Sequence, residues 1–177
     1  MIEIKELKEN IEQSRPNEWK TIPDIDLYMD QVINYMPRQH IGLEGDETLT
    51  AAMINNYIKS ELLPRAHRKK YKREHIAYLT AICLMKQVLS VGDTGLLLKE
   101  QLENNTIEEF YNKYVNTVDE EFKRVSKDID AECSKEELVQ MALRLVVSSY
   151  AQKHACESIL KILGTMGEEP EKKLPKK

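Results

Sequence analysis

The chain has 177 residues, of which 26 are lysine or arginine and 30 are aspartate or glutamate, so its formal net charge is −4. This length suits one domain or two small ones, and the few glycines and prolines among long runs of helix formers predict an all-α fold. The three cysteines match no zinc signature and no apolar run approaches the roughly 20 residues of a membrane span, so we expect no metal, cofactor or membrane partner. The charged first residues lack a signal-peptide pattern and predict a cytoplasmic protein.

The N-terminal part of the chain predicts two helices. The first covers residues 2–13 and ends before Pro16, which breaks the helical pattern. The second is expected to begin near Pro23 and to run to about Met36. A loop that contains two glycines follows over residues 38–48.

The next predicted helix has two different faces. It begins at Thr50, a suitable N-cap residue, and Pro64 lies beyond its end. One face is apolar and carries Ile54 and Tyr57, so it should pack on the core. The opposite face is small and polar and consists of Ala52, Asn55, Asn56 and Lys59.

A dense basic strip follows this helix at residues 65–73, which contain no acidic residue. Its cations are Arg65, Arg68, Lys69, Lys70, Lys72 and Arg73. Without these six, the rest of the chain has 20 basic and 30 acidic residues, a net charge of −10. An acidic body with one basic strip is suited to contact a phosphate backbone at one place. We expect a small hairpin or loose wing here, anchored to the core by Tyr71.

A core helix is predicted after the strip, from about Arg73 to Leu89, because apolar residues occupy most of its girth. Cys83 lies within this run and is expected to be buried. A turn at Gly92-Asp93 then leads to a short helix over residues 96–102.

Two long helices are predicted in the last third of the chain. Capping boxes at Thr106 and Ser134 mark their starts. The second helix is apolar on most sides up to Leu163, so it should lie inside a bundle or in a dimer interface, and Gly164 should end it. Residues 165–177 are charged and contain proline, which predicts a disordered tail.

The central residues resemble two known families. Residues 49–98 are similar to the DNA-binding module of the MerR family of bacterial regulators, in the run from Met53 to Pro64, in the basic strip and in the run from Arg73 to Leu79. The chain differs from that pattern at Glu61, where the MerR family has glycine. From Trp19 to about Leu98 the chain also resembles an uncharacterised bacterial family, domain of unknown function 1836, most specifically over residues 22–32 and 49–57.

These resemblances imply a MerR-like winged helix-turn-helix, whose wing is either a small β hairpin or a loose loop. The helical pattern of the residues after it predicts a C-terminal bundle of two long helices. The expected organisation is an N-terminal helix and linker at 1–18, the winged domain at 19–104, a helical region at 105–164 and the tail at 165–177.

The function expected from these features is that of a bacterial DNA-binding transcriptional regulator that uses helix 50–60 and the wing 65–73. The second helix of a helix-turn-helix enters the major groove, where an asparagine amide can pair with adenine, and wing cations neutralise phosphates. The predicted DNA-contacting residues are Thr50, Asn55, Asn56, Lys59, Arg65, Arg68, Lys69, Lys70, Lys72 and Arg73. The expected partners are double-stranded DNA and a second copy bound through the C-terminal helices.

The alternative is a non-enzymatic adaptor or effector-sensing protein whose winged module does not bind DNA. Neutralisation of the basic strip by Glu61, Glu74 or the acidic helices would favour it. Its ligand pocket would be lined by Phe110, Tyr111, Tyr114 and Tyr150, although ordinary core packing explains these residues more simply. An enzyme is disfavoured, because the sequence has no glycine-rich phosphate loop, no His-Glu-x-x-His motif and no nucleophile with an evident base.

Overall fold

The computed structural model describes residues 4–39 and 49–166, so most of the predicted 38–48 loop and of the 165–177 tail lies outside the described residues. The described residues form seven α-helices and two short 3-10 turns, at Trp19–Thr21 and Met36–Gln39. The helices are α1 (Ile4–Gln13), α2 (Met29–Tyr35), α3 (Ala51–Lys59), α4 (Arg73–Met85), α5 (Val91–Leu102), α6 (Ile107–Asp128) and α7 (Lys135–Met166). The predicted all-α class is confirmed for this part of the chain.

The core is built around α4, whose side chains are apolar on nearly every side. Eight of its 13 residues are buried, and the helix packs on α6 and on the 3-10 turn Met36–Gln39. Its apolar residues belong to the same core cluster as Val32 of α2 and Ile54 and Tyr57 of α3. Cys83 is buried as predicted, and burial raises the pKa of its thiol to about 12, so it stays protonated. The helix ends at Met85 and not at Leu89, because the following residues form turns.

The start of α2 differs from the prediction. The helix begins at Met29, because the residues before it are extended and pair with the basic strip. The N–H groups of Leu27 and Tyr71 each donate to the other's carbonyl at 2.8 Å. Tyr28 is the extended N-cap, and its N–H donates to the side-chain oxygen of Gln31 at 2.8 Å. This long-range pairing overrides the helix-start signal at Pro23.

The three predicted N-caps are confirmed. The Thr50 hydroxyl accepts a hydrogen bond from the N–H of Met53 at 3.2 Å. Thr106 forms a full capping box, since its hydroxyl accepts from the N–H of Glu109 and the Glu109 carboxylate accepts from the N–H of Thr106. The same exchange opens α7 at Ser134. These local patterns satisfy the unpaired N–H groups of a first turn.

The predicted turn at Gly92-Asp93 is wrong, because both residues belong to the first turn of α5. Ser90 caps this helix: its hydroxyl accepts from the N–H of Asp93 at 3.1 Å and donates to the Asp93 carboxylate at 2.6 Å. A serine followed three residues later by an acid therefore outweighs a glycine as a local signal here.

The two long C-terminal helices do not form a bundle with each other, so that prediction is wrong. α6 packs against α1 and α4, where its aromatic face completes the core, whereas α7 packs on α5. Gly164 does not end α7; it lies within the helix, where a Cβ would be 3.6 Å from Leu96 of α5. Within the described ranges, no helix combines the length and the apolar character needed to cross a membrane.

Candidate nucleic-acid interface

The basic strip contains a tight hairpin turn. The N–H of Lys70 donates to the carbonyl of His67 at 2.9 Å, and Arg68 and Lys69 occupy the two central positions with φ angles of 50° and 64°. Two consecutive left-handed residues are typical of a type I′ hairpin turn, which usually has Asn-Gly at these positions. Here both positions carry long cationic side chains, and both side chains are exposed.

This turn is energetically unfavourable for the residues that form it. A left-handed conformation costs a residue with a Cβ about 1–2 kcal/mol, and it occurs here twice in succession. The turn is held in place because the neighbouring residue, Tyr71, is buried in the core and pairs with Leu27. The sequence predicted this anchoring role of Tyr71.

A buried histidine fixes the junction between the turn and α4. The ring of His75 meets the ring of Tyr71 edge-on at 5.4 Å, and its Nδ1 accepts a hydrogen bond from the N–H of Lys72 at 3.0 Å. Burial lowers the pKa of His75, which keeps the imidazole neutral and able to accept this bond. The hairpin is thus attached to α4 through a neutral contact.

Two of the predicted DNA-contacting cations are engaged with acidic residues. Lys70 lies 3.7 Å from the carboxylate of Asp26, and Arg73 lies 3.6 Å from that of Asp24. Arg73 also donates to the carbonyl of Ile22 at 3.1 Å, and its guanidinium lies 5.6 Å from the centre of the Trp19 ring. Arg73 therefore holds the segment before α2 against α4.

These two aspartates were not predicted from the sequence, where Glu61 and Glu74 were the candidates to neutralise the strip. Asp24 and Asp26 lie close to the strip because Leu27, next to them in the chain, pairs with Tyr71. The two acids flank Ile25 immediately before this pairing. Their position could have been predicted only from an extended backbone at Leu27 that pairs with the strip.

α3 presents the polar face that the sequence predicted. Ile54 and Tyr57 are buried, whereas Thr50, Asn55, Asn56 and Lys59 are exposed. Within residues 4–39 and 49–166, the amide side chains of Asn55 and Asn56 form no hydrogen bond, so their donors and acceptors are available to a partner. The Thr50 hydroxyl, by contrast, already caps the helix.

A cleft of about 380 Å³ joins the end of α3 to α5. It is lined by three cations from separate segments, Lys59, Arg65 and Lys99. Lys59 and Arg65 were among the predicted DNA-contacting residues, whereas Lys99 was not. Glu61 also borders the cleft and has a φ of 59°, a left-handed conformation that favours glycine. The apolar lining consists of Ile58, Leu62, Leu63, Pro64, Leu98 and Leu102.

The four aromatic residues that could have lined a ligand pocket between the two long helices do not come together in the described part of the chain. Phe110, Tyr111 and Tyr114 are buried in the core against α4, and the Tyr111 hydroxyl donates to the carbonyl of Asn17 at 2.8 Å. Tyr150 lies on α7 and is 70% exposed. Core packing therefore accounts for the three residues of α6.

Comparison with known proteins places the candidate interface inside one family match. The model of the family described as "Domain of unknown function (DUF1836)" matches residues 17–114, which is more than half of the chain. The match runs from the segment before α2 into α6 and includes every predicted DNA-contacting residue. Comparison with curated proteins and with solved structures gave no match.

Proposed function

The chain belongs to the DUF1836 family, and we propose that it is a DNA-binding transcriptional regulator that grips double-stranded DNA with α3 and the hairpin turn. In this proposal α2 and α3 form a helix-turn-helix, residues 65–72 form its wing, and the module is of the MerR type. α3 enters the major groove, as the second helix of such motifs does.

The observation that carries the proposal is the composition of the hairpin tip. Asn-Gly would form this turn at lower cost, yet Arg68 and Lys69 occupy its two left-handed positions with their side chains in solvent. Backbone strain of this kind is concentrated at functional sites, where the surrounding structure maintains it. Two cations held at an exposed tip are suited to contact phosphate oxygens.

The cleft beside α3 supports the same function. Lys59, Arg65 and Lys99 add positive charge next to the exposed face that carries Asn55 and Asn56. An asparagine amide can donate to N7 and accept from N6 of one adenine, which gives these two residues the role of base reading. The cations contribute affinity that is independent of sequence.

The ion pairs divide the predicted cations into two groups. We assign phosphate contacts to Lys59, Arg65, Arg68, Lys69 and Lys72. Lys70 and Arg73, which lie next to Asp26 and Asp24, instead fix the wing against the segment before α2. Replacing Arg73, whose side chain is 20% exposed and also contacts Ile22 and Trp19, should therefore affect folding more than it affects DNA binding.

The proposal is tested by fluorescence anisotropy on a pool of random duplexes at low salt. The charge-reversal pair Arg68→Glu with Lys69→Glu should weaken binding on all sequences by about tenfold or more and reduce the slope of log K against log salt by about 2. The matched control is Lys123→Glu with Lys127→Glu, which makes the same change of net charge on exposed positions of α6. Equal losses in the two pairs, or no binding of the unaltered protein, would contradict DNA binding through the wing.

The adaptor function remains the second candidate, because Asp24 and Asp26 neutralise part of the strip. It predicts that the unaltered protein binds no duplex even at low salt. It also predicts that replacing both aspartates by asparagine creates duplex binding that was absent before, because the freed cations regain a net positive field. A regulator, in contrast, binds DNA before this substitution.

A further inference from the structure

The longest helix in the described part of the chain is largely exposed. α7 has 32 residues, of which only Leu160 is buried. Its large apolar side chains with more than half of their surface exposed are Val139, Leu143, Val146, Val147, Tyr150, Ile159, Ile162 and Met166. An exposed apolar patch of this extent on one element is typical of an interaction surface.

Half of these side chains form a regular seam in the N-terminal half of the helix. Val139, Leu143, Val146 and Tyr150 follow one another at spacings of four, three and four residues, and they are 57–70% exposed. The alternation of three and four is the heptad spacing with which two helices pack side by side. Glu136 and Lys153 continue the same spacing by three residues at either end.

The rest of the described chain does not cover this seam. α7 packs on α5, and the close approach of the two helices is at Gly164 and Leu96, far along the helix from Leu143. In this half of the helix, Gln140, Arg144 and Ser148 form a narrow polar ridge at a spacing of four. The N-terminal half of α7 therefore exposes an apolar seam that has no partner within the described residues.

We propose that a second copy of the chain covers this seam, with the two α7 helices antiparallel. In this register Leu143 of one copy packs against Val146 of the other, and Val139 packs against Tyr150. The same register brings Glu136 opposite Lys153 at both ends of the seam, so opposite charges meet twice. A parallel pair would instead place Glu136 against Glu136 and Lys153 against Lys153, which charge repulsion opposes.

The size of the seam suits a two-copy interface. At roughly 100 Å² for each large apolar side chain, the four seam residues and neighbouring Val147 in two copies offer about 1,000 Å². Specific interfaces begin near this size, whereas crystal-packing contacts are mostly smaller. The proposal concerns α7 alone and does not depend on DNA binding.

The experiment is sedimentation equilibrium of the full chain without DNA. We expect a mass of twice 20.6 kDa for the unaltered protein and a single-chain mass for Leu143→Glu at the same concentration. The matched control is Ile162→Glu, which introduces the same charge at a position of α7 with equal exposure, 58% against 57%, outside the seam. This control should remain a dimer.

Orientation is tested by reversing the terminal charges. Glu136→Lys and Lys153→Glu should each raise the dimer dissociation constant by about tenfold, and the double variant should restore it, because the opposite charges then meet again. A single-chain mass for the unaltered protein would overturn the proposal and leave the seam to a different protein. A dimer that survives Leu143→Glu would overturn it as well, and an unrestored double variant would overturn the antiparallel register.

Discussion

The hairpin turn at residues 67–70 and the N-terminal half of α7 depart from ordinary folding rules in opposite ways. The turn places polar, solvated side chains on strained backbone, and a buried tyrosine attaches it to the core. The seam of α7 has relaxed helical backbone, but its apolar side chains lie in solvent. A sequence normally satisfies local propensity and burial together, so a departure from either marks a region shaped by a partner. The turn is suited to an anion, and the seam to another apolar surface.

The largest expected effect compares one residue type in the two regions. Tyr71→Ala should lower the free energy of unfolding by about 3–5 kcal/mol, because it removes a buried ring that anchors the hairpin. Tyr150→Ala should change it by no more than about 0.5 kcal/mol for the single chain, because that ring is 70% exposed. Urea unfolding at a concentration below dimer formation measures both values. Similar losses in the two variants would show that α7 is covered within its own chain.

The next effect separates strain from function at the turn. Arg68→Asn with Lys69→Gly should raise the free energy of unfolding by about 1–2 kcal/mol, because both residues suit a type I′ turn. The same variant should bind duplex DNA at least tenfold more weakly, since it loses the two cations that we propose as phosphate contacts. Urea unfolding and fluorescence anisotropy provide the two measurements. A variant that loses both stability and binding would indicate that the cations serve the fold.

Several features were predictable because the residues that cause them are neighbours in the sequence. Thr50, Thr106 and Ser134 each act on a backbone N–H three residues ahead, so a short pattern contains the whole interaction. The all-round apolar character of residues 73–85 likewise indicates a core helix wherever the other elements lie.

The remaining features depend on parts of the chain that are far apart. The pairing of Leu27 with Tyr71 delays the start of α2 and brings two aspartates to the basic strip, and no local pattern predicts it. The turn at Arg68 and Lys69 lacks the glycine or asparagine that usually reveals such a turn. An apolar α7 also looks the same in sequence whether its own chain or another copy covers it, which is why the expected bundle was wrong.

A smaller effect is expected at the second strained position, Glu61, which lies between α3 and the strip. Glu61→Gly should raise the free energy of unfolding by about 0.5–1 kcal/mol, since the relief of a left-handed φ exceeds the added entropy of the unfolded chain. It should also strengthen duplex binding, because it removes the acid from the cleft that holds Lys59 and Arg65. Glu61→Gln, which removes only the charge, is the control and should improve binding without the gain in stability. Reduced stability of the glycine variant would mean that the Glu61 side chain contributes to the turn.

The smallest expected effect is a pH dependence of stability that originates at the root of the hairpin. Burial holds the pKa of His75 below its ordinary value of 6.5, so the unfolded chain takes up this proton more readily than the folded chain. The contribution of His75 to stability is therefore fully present above pH 6.5 and is lost as the pH falls below that value, towards the pKa of the folded state. Protonation also removes the acceptor at Nδ1 for the N–H of Lys72, so the hairpin should loosen before α7 responds.

The measurement is the thermal unfolding temperature between pH 7.5 and pH 5. This temperature should fall less for His75→Gln, whose amide oxygen can still accept from the N–H of Lys72 without titrating. His67→Gln, at an exposed histidine of the same strip, is the control and should keep the full decline. If His75→Gln declines as steeply as the unaltered protein, the acid sensitivity originates in other groups and the hairpin root is not its source.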